Sequence, residues 1–203
     1  MKIMDRFVVA SHNKKKLNEL TRILEPMGFK VLCPADIEGG VPDVEENGKS
    51  FIENALLKAR SACSHTGLPA VADDSGLCVD ALNGAPGIYS ARFAGTGKDA
   101  DNNKLLLEKL NGIKNRKAEF VSTIACVFPD GREFTVTGKC PGEILESPKG
   151  NGGFGYDPLF ITEWGCFGTM TAEEKDKVSH RARAIAKFSE KLKEYIQRRN
   201  TNA

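Results

Sequence analysis

An apolar run that ends in two adjacent carboxylates constrains this chain more than any other stretch. Ala70-Val71-Ala72 leads into Asp73-Asp74-Ser75-Gly76. Leu77 to Val79 is a second apolar run, and turn residues gather at Asn83-Gly84 and Pro86-Gly87. The pattern predicts a strand that ends at Asp-Asp-Ser-Gly, where the chain turns. Strand ends beside turns are where α/β proteins place chemistry. The same residues also suit a plain turn, because Asp and Ser bond their local backbone and Gly accepts left-handed angles. Successive side chains of a strand face opposite ways, so Asp73 and Asp74 share one task only if the strand has already broken.

The segments before this stretch alternate strand and helix. Phe7 to Ala10 reads as a buried strand, and Ser11-His12-Asn13 leads into an amphipathic helix with Leu17, Leu20, Leu24 and Met27 on one face. A short polar turn at a helix N-terminus suits a phosphate, since unpaired N–H groups and the helix dipole meet there, and Lys16 adds a cation one turn in. Ser11 or Asn13 as a simple N-cap, with Lys14, Lys15 and Lys16 as a solvated face, explains the same residues. Lys30 to Cys33 is a second strand. Pro34 to Lys49 lacks periodicity, and Glu45-Glu46 precede a helix that opens with the capping-box pattern Ser50…Glu53. Ile52, Ala55, Leu56, Ala59 and Cys63 give that helix its buried stripe, and Lys58 lies elsewhere on it.

After the carboxylate stretch, Lys98 to Leu110 is a helix with an exposed polar first half and Leu105, Leu106, Leu107 and Leu110 as its core face. Ala118 to Phe128 and Glu133 to Lys139 form a hairpin around Pro129-Asp130-Gly131, and Ile144-Leu145 is a separate short strand. A glycine-dense loop, Gly150 to Asp157, precedes the apolar Leu159-Phe160-Ile161. Thr171 to Val178 is a short helix, and Ser179-His180-Arg181 opens a last helix with Ile185, Phe188, Leu192 and Tyr195 or Ile196 inward.

Composition narrows the function classes. The 203 residues allow one domain with a substantial core, or two lobes sharing a sheet. A net charge of +2 argues for no nucleic-acid or membrane surface. The apolar stretch at the N-terminus is too short for a signal peptide. Six cysteines occur without a Cys-x-x-Cys or a zinc-ligand spacing, which reads as reduced core thiols of a cytosolic protein. Gly-Asn-Gly-Gly-Phe-Gly formally matches a dinucleotide fingerprint, but Tyr156-Asp157-Pro158 and an apolar run follow where a helix must open. Gly48-Lys49-Ser50 lacks the first glycine of a P-loop, since Asp43 stands there. The three histidines are scattered, and no serine-hydrolase or zinc-protease motif is present.

What remains points to a nucleotide. Glu45, Glu46, Asp73 and Asp74 offer oxygens to a hard cation such as magnesium, which takes one or two carboxylates and completes its shell with phosphate and water. The Ser11–Lys16 turn with Lys58, Lys175 and Arg181 can neutralise a polyphosphate. Phe154, Tyr156 and Asp157 in the glycine loop can admit and read a flat base.

Five segments in this order resemble the inosine-triphosphatase-like family of noncanonical purine NTP pyrophosphatases: SHNKKK at Ser11–Lys16, EENGKSFIENALLKA at Glu45–Ala59, ADDSGLCVDALNGAPGIYSARFAG at Ala72–Gly95, GGFGYDPLF at Gly152–Phe160 and EKDKVSHR at Glu174–Arg181. Ser11 and His12 stand where other members often carry Thr, then Thr or Gly. The resemblance implies an α/β fold of elongated form, a long mixed β-sheet flanked by helices with two lobes around a central nucleotide cleft, as a single domain over 1–203. It implies hydrolysis of ITP, dITP and XTP to the monophosphate and pyrophosphate, with Mg2+ (or Mn2+), in a cytoplasmic homodimer without nucleic-acid or membrane partners. By position, Ser11, His12, Asn13, Lys14, Lys15 and Lys16 resemble the phosphate-binding turn, and Lys58 joins the substrate-binding cations. Glu45 and Asp74 resemble the metal carboxylates, with Asp74 also the general base. Ser75 resembles a substrate contact, and Phe154, Gly155, Tyr156, Asp157, Lys175, His180 and Arg181 the nucleoside pocket. On this reading Asp73 faces away and supports the turn. A binding protein that has lost catalysis, and a pyrophosphatase for standard or pyrimidine nucleotides, are the competing classes. The acidic set opposes the first, and the GGFGYDP and SHR segments oppose the second.

Overall fold

The computed structural model describes residues 5–11 and 13–201, with the side chains of 15, 19, 23 and 198–201 outside that description. Seven strands form one sheet in the order β2-β1-β3-β4-β5-β6-β7. They are β1 (Arg6–Val9), β2 (Lys30–Leu32), β3 (Ala70–Val79), β4 (Lys117–Val127), β5 (Glu133–Ile144), β6 (Phe160–Thr162) and β7 (Gly165–Cys166). β1 runs parallel to both β2 and β3, with Arg6 opposite Lys30 and Val8 opposite Ala70. Parallel neighbours need crossovers, and the helices α1 (Lys14–Leu24) and α2 (Phe51–Thr66) supply them. β6 is antiparallel to β5 and β7, so the sheet is mixed. Three further helices follow: α3 (Asp99–Lys109), α4 (Ala172–Val178) and α5 (His180–Thr201). Among the described residues no helix is long and apolar enough to cross a membrane.

The chain divides into two compact units. The first comprises the chain up to Asp74, Thr123–Thr137 and the residues from Ala184 on; the second comprises Ser75–Ser122 and Gly138–Arg183. In the first unit strand alternation sorts side chains cleanly. Phe7, Val9, Val71, Ile124 and Cys126 pack with Leu20 and Leu24 of α1 and Phe188 and Leu192 of α5. Their sequence neighbours Val8, Ala70, Ala72, Ala125 and Val127 pack with Ala55, Ala59, Ala62 and Cys63 of α2. The second unit has its own core of Leu77, Val79, Leu106, Leu110, Phe120, Phe160 and Phe167. Phe120 meets Phe160 edge-on at 4.6 Å. All six cysteines are free, and burial raises the thiols of Cys63, Cys126 and Cys140, as core thiols require.

The structure departs from the sequence expectations at defined points. β3 does not break at Asp-Asp-Ser-Gly; it continues to Val79. With β4 as its neighbour in the sheet, a turn there would take buried peptide groups of β3 out of their pairing. Asp73 therefore supports no turn. Ile144 ends β5 rather than starting a new strand. At Gly142, within β5, β6 approaches too closely for any side chain: a Cβ there would strike Ile161 O and the Phe160 ring. Ile52 is 44 % exposed instead of lying on the α2 stripe. Polar groups hold that first turn, with Ser50 Oγ accepting from Glu53 N and Asn54 Oδ1 from Gly48 N. The Glu53 carboxylate accepts from Lys49 N, one residue upstream of its capping-box partner. Asn102, expected exposed, is buried and ties down the preceding loop through Ala94 N and Ala91 O.

Candidate active site

The alternation that builds the first core also assigns the two carboxylates. Asp73 shares the parity of Val71 and meets α1, where Lys16 Nζ lies 2.7 Å from its Oδ2. Asp74 shares the parity of Ala70 and Ala72 and meets α2, where Lys58 Nζ lies 3.2 Å from its Oδ1. Lys58 Nζ also donates to Glu46 Oε1 at 2.8 Å and to the Asp73 carbonyl at 3.0 Å. The pairs are deep: Asp73 is 2 % exposed and Asp74 6 %. Burial raises the Asp74 carboxyl above its ordinary range; Lys58 works against that rise, and the nearby Glu46 charge adds to it. Lys58 is itself raised: burial alone would lower it, but Asp74, Glu46 and Asp73 together outweigh burial.

The Asp74 carboxylate is only half used. Its Oδ2 is buried and has no hydrogen-bond partner among the described residues. A buried unsatisfied carboxylate oxygen costs stability, and it suits a hard cation or a water. No group of three or more His, Cys, Asp or Glu side chains is gathered to hold a metal among the described residues. Magnesium does not need one, because it keeps waters and takes substrate phosphates. The donor set therefore fits such an ion. Glu46 joins the cluster through Lys58, while Glu45 is exposed at the surface. At the turn before α1, Asn13 Oδ1 caps Lys16 N at 3.3 Å, and Ser11 Oγ accepts Asn13 N at 3.2 Å. Lys14 is exposed. His12 lies outside the described residues, as does the Lys15 side chain.

In the second unit Lys175 and Arg181 stand beside the Phe154 ring, and the other candidates bond or stack on separate groups. Asp157 Oδ2 accepts Phe154 N at 2.9 Å and Lys175 Nζ at 2.5 Å. Lys175 Nζ stands 4.8 Å from the Phe154 ring centre, and the Arg181 guanidinium 5.7 Å from it. Arg181 donates to Ser75 Oγ at 3.2 Å. His180 stacks on Phe120 at 4.7 Å. Tyr156 is buried in the core; its hydroxyl donates to Ser90 O at 2.8 Å, and burial holds its proton on. The cis peptide at Pro86 lies in the same segment as Ser90. Gly153 is adjacent to the Asp157 carboxylate, which fills the space a Cβ would need.

Several members of these groups escape a sequence reading. Glu46 rather than its neighbour touches Lys58, and an adjacent Glu-Glu pair carries no signal for which one does. Asp73 pairs with a lysine 57 positions away, and Ser90, Asp99 and Asn103 hold the glycine loop from distant segments.

Comparison with known proteins supplies the context. The family model described as the Ham1 family matches residues 7–191. A dITP/XTP pyrophosphatase of Geobacter sulfurreducens is 49 % identical over 194 residues, covering 93 % of this chain and 97 % of that protein. One of Nocardia farcinica is 50 % identical over 189 residues, covering 90 % and 92 %. The structure superposes on the Ham1 protein of Coxiella burnetii with a TM-score of 0.88 at 39 % identity, covering 94 % of this chain and 100 % of that one.

Proposed function

The chain belongs to the Ham1 family, and on that premise we propose that it hydrolyses the triphosphates of noncanonical purines, ITP, dITP and XTP, to the monophosphate and pyrophosphate, removing them from the nucleotide pool. It is a nucleoside-triphosphate pyrophosphatase. The observation that carries the reading is the Asp74 carboxylate, anchored at Oδ1 by Lys58 and unsatisfied at Oδ2.

The residues then have separable tasks. Asp74 Oδ2 accepts the proton of the attacking water. The raised carboxyl is a stronger base than an exposed aspartate, and the Lys58 contact keeps the second oxygen presented. Lys16 and Lys58 are held by carboxylates in advance, so their charge is already in place to offset that of a polyphosphate, at no cost in reorganisation. The turn Ser11 to Lys16, His12, Lys14 and Lys15 included, binds phosphate at the α1 N-terminus. Magnesium, or manganese in its stead, supplies further positive charge and a more acidic water when bound; Asp74 and Glu45 would hold it. Phe154 stacks the base, and Ser75, Gly155, Tyr156, Asp157 and His180 shape the nucleoside pocket around it. Lys175 and Arg181 donate to the 6-oxo group of hypoxanthine or xanthine. Adenine brings an amino donor to the same place, and a buried donor facing a donor discriminates strongly. We extend the reading to a cytoplasmic homodimer acting on free nucleotides, without nucleic-acid or membrane partners; the free thiols support the compartment.

Pyrophosphate release from ITP, dITP, XTP and the four standard triphosphates, with and without magnesium, tests this. Rapid magnesium-dependent release from the first three alone is expected. Equal rates on ATP and GTP would sink the selectivity, and no release from any would sink the activity.

A further inference from the structure

Both peptide groups of Gly155 are gripped by one face of α3. Asp99 Oδ2 accepts the Gly155 N–H at 2.6 Å, and Asn103 Nδ2 donates to the Gly155 carbonyl at 2.9 Å. Residues four apart on a helix project from the same side one turn apart, so the two side chains act as a forceps on a single residue. Gly155 itself is left-handed, with φ of 60°. The residues flanking it are tied as well. Phe154 N–H is taken by Asp157 Oδ2, and the Tyr156 hydroxyl by Ser90 O. Ser90 in turn bonds Leu77 N and Gly87 O, which gives the otherwise unexplained turn segment before α3 a part in the same framework. The ring that benefits is Phe154, with Lys175 and Arg181 beside it.

We propose that Asp99 and Asn103 are positioning residues for base recognition: by fixing Gly155 they hold the Phe154 ring ready to stack a purine. The inference rests on the assignment of Phe154 to the base pocket. Its physical content is pre-organisation. A loop with glycines at 150, 152, 153 and 155 loses much backbone freedom when ordered, and the clamp removes that cost before the nucleotide arrives. Neither side chain belongs to the charged cluster of Asp74, so the effect falls on binding of the base and not on the chemical step.

The test compares Asp99→Ala, Asn103→Ala and the conservative Asp99→Asn, which keeps an acceptor for the Gly155 N–H. Steady-state kinetics with dITP are measured beside inhibition by pyrophosphate, which has no base, and a thermal melt. Asp99→Ala is expected to raise KM for dITP about tenfold with kcat within about twofold. Asn103→Ala should do the same to a smaller extent, and Asp99→Asn should stay within about threefold of the parent. Pyrophosphate should inhibit all four proteins equally. The inference is overturned if KM for dITP stays unchanged in both alanine variants. It is also overturned if kcat falls or pyrophosphate inhibition weakens in step with KM, which would mark a general structural loss. Parent protein that cleaves dITP no faster than dATP would overturn the base-pocket assignment itself, and the inference with it.

Discussion

The charged cluster and the aromatic group are built by opposite means. In the first, the carboxylates stand on β3, with Lys16 on α1 and Lys58 on α2 set against them and Glu46 joined through Lys58. In the second, the key ring sits on a glycine loop, and the ties run from side chains on helices to peptide groups of that loop. Like-charge repulsion and desolvation penalise small errors of a buried carboxylate, so it needs a rigid strand beneath it. A stacking ring tolerates sliding, so a loop suffices if its backbone is pinned. On the proposed function, chemistry and selectivity should therefore be separable by mutation.

The sharpest way to break this contrast is within one dipeptide. Asp74→Asn should lower turnover by roughly 10²- to 10⁴-fold, the usual worth of a general base, while a thermal melt stays at or above the parent's. Loss of a carboxylate whose ionised form burial disfavours removes a strain, and Lys58 keeps Glu46. Asp73→Asn, one residue away, should instead cost stability, about 3 kcal/mol for breaking a buried pair, read by urea denaturation. Unchanged stability there would mean that the Lys16 pairing is not structural. Next, Phe154→Ala should weaken dITP binding by about 1–3 kcal/mol, typical of a lost stacking contact, with kcat little altered.

The pH dependence sharpens the same point more gently. Because burial raises Asp74, the acid limb of kcat should fall at a pH above the ordinary 3.8. The matching effect on stability has the unusual sign for an aspartate: a carboxyl raised on folding favours the folded state as pH falls through the raised value towards 3.8. Lys58 behaves conversely, its contribution complete below 10.5 and lost as pH climbs through its raised value. A kcat profile and parallel melts across acid pH read both. The smallest effect belongs to the surface. Arg60→Met removes an ion pair with Glu133 in which the arginine side chain is 54 % exposed, and should cost under about 1 kcal/mol with kinetics unaltered.

Much of this was legible in the sequence for physical reasons. Apolar spacing reveals α1 and α5, because a helix must bury one stripe; Leu20, Leu24, Phe188 and Leu192 are in fact buried. The turn Pro129-Asp130-Gly131 identifies its hairpin, and the short helix expected over Thr171 to Val178 is α4. The opposite facing of Asp73 and Asp74 follows from strand geometry alone. The continuity of β3 did not show, because Asp, Ser and Gly carry local turn preferences that only tertiary pairing overrides. Asn102, Asn103 and Asp99 read as a solvated helix face, since nothing local distinguishes an asparagine in water from one holding a loop 52 residues away. Ile144 read as the start of a separate strand for a similar reason: β6, which pairs with the end of β5, comes later in the chain.

The unbroken β3 also sets what kind of sequence change this protein can absorb. Point substitutions in Ala70–Ala72 alter packing volume and leave every residue facing its own side. Deleting or inserting one residue there would exchange the sides of everything downstream as far as the register slips. Asp73 would then face Lys58, and Asp74 would face Lys16, with all side chains conserved in kind. Descendants of this chain can thus drift in composition along the strand while its length upstream of the acids stays frozen. Gaps in the lineage should fall in loops such as residues 38–47 and not between β1 and the carboxylates along β3.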